Sequence, residues 1–306
     1  MIQPRCAVSD SCIGESAAIR SRWTIGDPGT PLPLRLLANL YVALFGRRVF
    51  YRFNQRLLNL AVRGMGVGNP NSDLIDSSEE RFLKSLRMLG AITVFDVGGH
   101  VGEFATRLAE VCPDAIIWSF EPHPGSFAEL AKTAKTSRIK PLQMGLSDAR
   151  GRRRLHDHPD TGSDQPGSVH ASFHAEVFAD VHHTKSVDQE VEVGTVDDLL
   201  ESEGINNLTL LKIDTEGHEL AVLRGARQAI EDGRIDLVQF EFNEMNVVSR
   251  VFMRDFYDAL PGFLFYRMVV DGLVATGDYQ PRTHELFIWH NVVAIRGDFE
   301  GRSGLT

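Results

Sequence analysis

An α/β fold built on a mostly parallel sheet, with a helical cap on its N-terminal side, is the architecture this 306-residue chain predicts. Three observations carry it. From residue 92 onward short apolar runs alternate with helical stretches, the rhythm of strand–helix–strand units whose parallel strands are covered on both faces. The first run, Val94-Phe95-Asp96-Val97, enters Gly98-Gly99-His100-Val101-Gly102, a glycine-rich turn at the mouth of a helix. Ahead of it, residues 33–66 repeat leucines and aromatics at helical spacing among arginines.

Taken in order, residues 1–30 are rich in Ser, Gly and Pro, lack periodicity and are expected to be a flexible N-terminus. Residues 31–89 form the cap, in which Leu36, Leu37, Leu40, Leu44, Phe50, Phe53, Leu57, Leu58 and Leu60 sit among Arg35, Arg47, Arg48, Arg52, Arg56 and Arg63. No Asp or Glu lies between Asp27 and Asp73. These basic amphipathic helices either cover the following domain with their arginines solvated, or give peripheral contact with an anionic membrane through 33–64.

Residues 90–300 hold the sheet. Seven strands are expected: Ile92 to Val97, Ala115 to Glu121, Lys140 to Met144, Leu208 to Ile213, Leu237 to Phe242, Leu264 to Val269 and Phe287 to Ile295. Helices are expected at Gly102 to Val111, Gly125 to Lys135, Glu219 to Glu231 and Ser249 to Leu260. The pattern is Rossmann-like, which puts ligands at the carboxyl ends of the strands. Residues 151–190 break the rhythm. They are polar and carry His156, His158, His170, His174, His182 and His183, and a loop this long in a compact domain reads as a lid-like insertion.

Composition narrows the function. A formal net charge of −9 argues against a nucleic-acid partner, which needs concentrated Lys and Arg. Cys6, Cys12 and Cys112 make neither a disulfide framework nor a zinc site and fit a reducing compartment. Residues 1–30 lack the basic start and apolar run of a secretory signal, and Leu34 to Phe45 falls short of the roughly 20 residues of a membrane span. The expected location is cytoplasmic, at most peripheral at the inner membrane surface.

The turn at 98–102 is not the dinucleotide pattern G-x-G-x-x-G, since position 100 is His. Asp96 suits a ligand amino or hydroxyl group, and Gly98 lets a ligand lie against the backbone. Glu121, ending the second strand before Pro122, can accept both hydroxyls of a ribose, whichever nucleotide carries it. Lys212 to Glu219 reads as a strand end running into a helix, with Asp214 and Glu216 at the turn. Glu241 and Asn243 end the next strand and could bind substrate, as could His170 and His174 of the insertion. Asp214, Glu241 and loop histidines could also ligate a metal, but histidines in a polar loop are more often solvated and no metal is assigned.

Asp96-Val97-Gly98-Gly99-His100-Val101-Gly102, Phe120-Glu121-Pro122, Leu146-Ser147-Asp148, Gly194-Thr195-Val196-Asp197, Lys212 to Glu219, Val222 to Ala226 and Phe240-Glu241 resemble, in that order, the FkbM-type methyltransferases. The resemblance spans residues 90–296. It implies a class I methyltransferase sheet and an S-adenosylmethionine-dependent O-methyltransferase acting on a hydroxyl of a sugar, glycolipid or related natural product. It also implies that Asp96, Gly98, Gly99, His100, Gly102, Glu121, Pro122, Ser147, Asp148 and Asp214 hold the cofactor. The family commonly has Ala-Asn where this chain has Gly99-His100. Methyl transfer needs an aligned hydroxyl and a group that removes its proton; Asp214 is the first choice, with Glu216 and His218 as alternatives. Two other readings stand beside it: an NAD-dependent oxidoreductase, and a membrane-associated nucleotide-binding module without catalysis.

Overall fold

A computed structural model describes residues 31–68, 73–134, 138–158 and 171–305. The expected flexible N-terminus, residues 1–30, and His170 lie outside the described residues. The chain divides into two compact units, residues 1–54 and 55–306. In the first, α1 (Leu32–Phe45) carries Pro33 in its first turn, where the missing N–H forfeits no helical hydrogen bond. A 3₁₀ turn at Arg48–Phe50 leads into α2 (Tyr51–Gly64), which continues into the second unit.

In the second unit α3 (Asp73–Leu86) precedes β1 (Thr93–Val97), α4 (Glu103–Val111), β2 (Ile116–Phe120), α5 (Pro124–Thr133) and β3 (Ile139–Leu142). β4 (Gly145–Leu146), β5 (Gly151–Asp157) and β6 (Val187–Gly194) follow, and α6 (Val196–Ser202) is capped by the Thr195 hydroxyl, which accepts from Asp198 N at 3.1 Å. β7 (Leu208–Ile213), α7 (Glu219–Arg224), α8 (Arg227–Glu231) and β8 (Ile235–Phe242) return to the centre of the sheet. The chain ends with α9 (Met245–Ser249), α10 (Met253–Ala259), β9 (Phe263–Val269), β10 (Gly272–Ala275), α11 (Pro281–His284), β11 (His290–Arg296) and α12 (Gly297–Ser303).

The main sheet runs β10-β9-β11-β8-β7-β1-β2-β3. β3, β2, β1, β7 and β8 are mutually parallel, and β11 inserts antiparallel between β8 and β9. Successive residues of the central strands feed opposite cores. Phe95, Val97, Leu211 and Ile213 pack with Leu200 of α6, Leu223 of α7 and Phe256 of α10; Val94 and Leu210 pack with Phe82 of α3 and Leu108 of α4. Both faces are therefore buried, which is why these strands are almost continuously apolar. The chain winds outward from β1 to β3 and then crosses back to β7 on the other side of β1. That reversal opens a crevice beyond the carboxyl ends of β1 and β7.

The sheet has eight strands rather than the expected seven. The addition is β10, joined to β9 by a tight turn with Gly272 opposite Val269, and four residues are too few to show a period. Residues 151–157 and 187–194 are paired strands, not loop. β6 lies between β4 and β5 in a second, three-stranded sheet. Its polar sequence is a cross-strand charge ladder: Arg152 meets Glu190 at 3.0 Å, and His156 Nδ1 meets Asp188 Oδ1, its direct partner in register, at 2.7 Å. The expected helix 219–231 is two helices. The Asp197 carboxylate accepts from Gln228 N and Ala229 N, both at 2.9 Å, and so caps a fresh start at α8.

Candidate active site

The crevice is a cavity of about 410 Å³. One wall is the turn after β1. Gly98 has φ +83, and a Cβ there would lie 1.8 Å from the Asp214 carbonyl oxygen, so only glycine lets the β1 and β7 ends meet. A Cβ on Gly99 would fall 2.1 Å from Ser119 Oγ. Ser119 donates to Asp96 Oδ2 at 2.7 Å, so the serine occupies the space an alanine at 99 would need.

Glu121 pins this turn to the one after β2. Its Oε2 accepts from His100 N at 2.8 Å and its Oε1 from His123 N at 2.7 Å. His100 sits at φ +46, a left-handed conformation uncommon outside glycine, which the Glu121 contact helps to hold. Burial pushes the Glu121 carboxyl up to about 7, against the pull of those two N–H donors.

The opposite wall follows β7. Lys212 is the single charged residue of β7 and is buried, and its ammonium lies 3.2 Å from Asp214 Oδ2 and 3.4 Å from Asp96 Oδ1, with the Phe104 ring centroid at 5.0 Å. Burial alone would lower its pKa, but the Asp214 and Asp96 carboxylates outweigh it and push it up. Asp214, Glu216 and Glu241 offer oxygens that all lie within 4.8 Å of one another. Glu241 is raised well above the usual carboxylate range, first by burial and then by repulsion from Asp214 and Glu216. Its Oε1 accepts from Asn243 Nδ2, and the amide is oriented because Asn243 Oδ1 accepts from Met245 N at 2.8 Å. These three carboxylates could hold a divalent cation as well as face a cationic ligand; among the described residues, no histidine of the insertion joins them.

Glu219 shapes the loop between. Its Oε1 accepts from Thr215 N, Thr215 Oγ1 and Gly217 N at 3.0, 3.0 and 3.1 Å, and burial pushes its carboxyl up to about 7. His218 faces away from the cavity. Its Nε2 lies 2.9 Å from Ser147 Oγ, whose proton goes to Asp148 Oδ1 at 2.9 Å, so Nε2–H donates to the serine. Burial, then His174 and Arg153, lowers its pKa to about 3. The ring also packs against Phe173 and His174, at centroid distances of 4.8 and 5.7 Å.

The expected site residues therefore fall into two groups. Gly98, Gly99, His100, Glu121, Pro122, Asp214, Glu216 and Glu241 line the cavity. Asp96, Gly102, Ser147, Asp148, His174, His218 and Asn243 are not among the lining residues, and Asp148 is exposed to solvent. Sequence reasoning passed over Lys212 and Glu219. A lone lysine within Leu208-Thr209-Leu210-Leu211-Lys212-Ile213 was the available signal for the first; the role of Glu219 rests on backbone contacts and left none.

The fold and this constellation define an α/β enzyme domain with a nucleotide-type cofactor crevice at the sheet's reversal point. A family model for the methyltransferase FkbM domain matches residues 96–261, more than half of the 306-residue chain. The chain belongs to the FkbM methyltransferase family, and its cofactor is S-adenosylmethionine. Relatives include the hexuronic acid methyltransferase AglP of Haloferax volcanii, 26% identical over 151 residues that cover 48% of this chain and 54% of AglP. The 2-O-methyltransferase NoeI of Sinorhizobium fredii is 24% identical over 206 residues, covering 65% of this chain and 82% of NoeI. The 31-O-demethyl-FK506 methyltransferase FkbM of Streptomyces tacrolimicus is 30% identical over 161 residues, covering 44% and 60%. The chain thus spans about half the length of AglP. An O-methyltransferase from Bacillus cereus in complex with S-adenosylhomocysteine superposes with a TM-score of 0.40 at 9% identity, over 85% of this chain and 97% of that one.

The residues present fit this cofactor: a buried carboxylate, Glu121, and a side-chain-free turn, Gly98-Gly99, share one wall of a cavity whose other wall is anionic. Glu121 also links stability to pH. Its folded-state pKa, about 7, lies above the ordinary 4.5, so the stability it contributes is complete below about pH 4.5 and is lost as pH rises through about 7. Glu219 adds in the same direction. Glu121→Gln is therefore expected to reduce the fall in Tm between about pH 5 and about pH 8 while weakening S-adenosylhomocysteine binding about 10- to 100-fold. Melting curves at both pH values and titration calorimetry check this; an unchanged affinity would remove Glu121 from the cofactor site.

Proposed function

We propose that this protein transfers the methyl group of S-adenosylmethionine to a hydroxyl of a sugar, glycolipid or related small natural product. The observation that carries the reading is the convergence of Asp214, Glu216 and Glu241 on the cavity opposite the glycine turn, with Lys212 balancing Asp214 and Asp96. The names of the relatives support the acceptor class: a hexuronic acid, a 2-O position and a 31-O position.

When bound, the cofactor supplies an electrophilic methyl on a positive sulfonium. The chain supplies position and a proton acceptor. Glu121 keeps lone pairs for the ribose hydroxyls, and Gly98-Gly99 admits the cofactor to the backbone. Methyl transfer is an in-line displacement, so the acceptor oxygen must approach from the carboxylate wall. Asp214, paired with the Lys212 ammonium at 3.2 Å, orients the acceptor. Glu241, with no ammonium paired to it among the described residues and its amide partner fixed, takes the hydroxyl proton as the oxygen attacks. Its ionised form gains when positive charge enters the carboxylate cluster, which matches a cationic donor.

Two measurements test the reading. Saturable heat with S-adenosylhomocysteine and none with NADH is expected by calorimetry. With methyl-labelled S-adenosylmethionine and glycolipid or polyketide acceptors, label should enter the product and survive mild alkali, as an ether does. Label released by alkali would mean a carboxylate acceptor and overturn the hydroxyl assignment.

A further inference from the structure

The described part of the first unit has a surface its own packing leaves uncovered. None of the fourteen residues of α1 is buried, and Leu32, Leu36, Leu37, Leu40, Val42 and Leu44 are exposed. Its polar side chains, Arg35 and Asn39, stand four residues apart and so form one narrow stripe. The apolar arc covers most of the helix, a pattern found where a helix is surrounded by protein core or by lipid.

The segment is also a formed corner. Phe45 meets Phe50 and Phe53 at centroid distances of 5.2 and 6.0 Å. Tyr41 donates its hydroxyl to Asn54 Oδ1 at 2.6 Å, and Asn54 Nδ2 donates to the Phe45 carbonyl at 2.9 Å. Arg47, Arg48 and Arg52 lie on this corner, in a stretch that holds no acid although the chain carries −9. At 1.5 Å per residue α1 is about 21 Å long, short of the roughly 30 Å hydrocarbon layer. No helix among the described residues is long and apolar enough to cross a membrane.

We propose that residues 31–54 are a monotopic membrane anchor, which seats the leucines of α1 in one leaflet of an anionic bilayer with Arg47, Arg48 and Arg52 among the lipid phosphates. A second copy of the chain is the weaker occupant, because a two-fold contact through this face would bring arginines of like charge together with no carboxylate among residues 31–54 to answer them. The proposal does not depend on the methyl-transfer reading.

The test is flotation of the full-length protein with vesicles of phosphatidylglycerol and phosphatidylcholine, against vesicles of phosphatidylcholine alone. Co-flotation at least about tenfold stronger with the anionic vesicles and weakened by high salt is expected. Leu36→Glu/Leu40→Glu and Arg47→Glu/Arg48→Glu variants should each lose it while binding S-adenosylhomocysteine as the parent does, which shows that the catalytic unit is folded. Absence of flotation on anionic vesicles, equal flotation on both kinds, or a solution dimer that the leucine substitutions dissociate without any vesicle binding would overturn the anchor.

Discussion

Methyl transfer by the Glu241→Gln variant is expected to fall by about 10²- to 10⁴-fold at saturating acceptor, the usual contribution of a positioned proton acceptor. S-adenosylhomocysteine affinity should stay within about threefold, because the amide has the carboxylate's shape and can still accept from Asn243 Nδ2. The pH profile separates loss of a base from loss of packing. Burial and the neighbouring acids raise Glu241 above the usual carboxylate range, so the parental rate should climb with pH through a window above that range. In the variant this acid limb should flatten. Asp214→Asn should behave otherwise, since it removes the nearer of the two carboxylates that pair with the Lys212 ammonium and so disturbs ligand positioning, raising KM more than it lowers kcat. A Glu241→Gln enzyme that keeps most of its rate and its acid limb would return the role to Asp214 or Glu216.

The parts of this molecule that its sequence made legible are those where one residue type has one physical use. The apolar runs of β1 and β7 announce strands buried on both faces, and the Gly98-Gly99 turn announces a backbone that must approach another closely. Glu121 was readable as a cavity residue from its place at a strand end, although its carboxylate also pins the two neighbouring turns. Other features depended on direction or partners. Asp96 shares the face of β1 that carries Val94, so it turns inward to Ser119 and Lys212 instead of outward to the cavity. The ladder of β5 and β6 is polar because its pairs are salt bridges, so hydropathy gave no strand period. His218 looked like an acid–base candidate by type, yet burial holds it neutral and Ser147 holds its Nε2. Sequence reasoning put Asp214 first as the proton acceptor and gave Glu241 to the substrate; the position of one ammonium, beside Asp214, is the reason for proposing the reverse order.

That ammonium is the basis of the largest expected stability effect. Lys212→Met should destabilise the fold by about 3–5 kcal/mol, the range for removing one partner of a buried ion pair. Methionine replaces the stem's volume, so packing changes little; what remains is a fully buried Asp96 carboxylate facing a nearby Asp214 with a single hydrogen bond, from Ser119, to its Oδ2. The sign of the pH dependence follows. Without the ammonium, the buried Asp96 has lost its counter-ion, so the penalty falls on the charged form and grows as pH rises. The deficit against the parent should be small near about pH 4.5 and large near about pH 8, as urea midpoints at the two pH values would show. Asp96→Asn combined with Lys212→Met removes the stranded charge together with its partner. The double variant should recover more than half of the loss, because a neutral amide still accepts from Ser119. If single and double variants unfold at the same urea concentration at both pH values, the lysine acts through its hydrocarbon stem, and the charge balance assigned to Lys212, Asp96 and Asp214 falls, along with the reason for placing the base at Glu241.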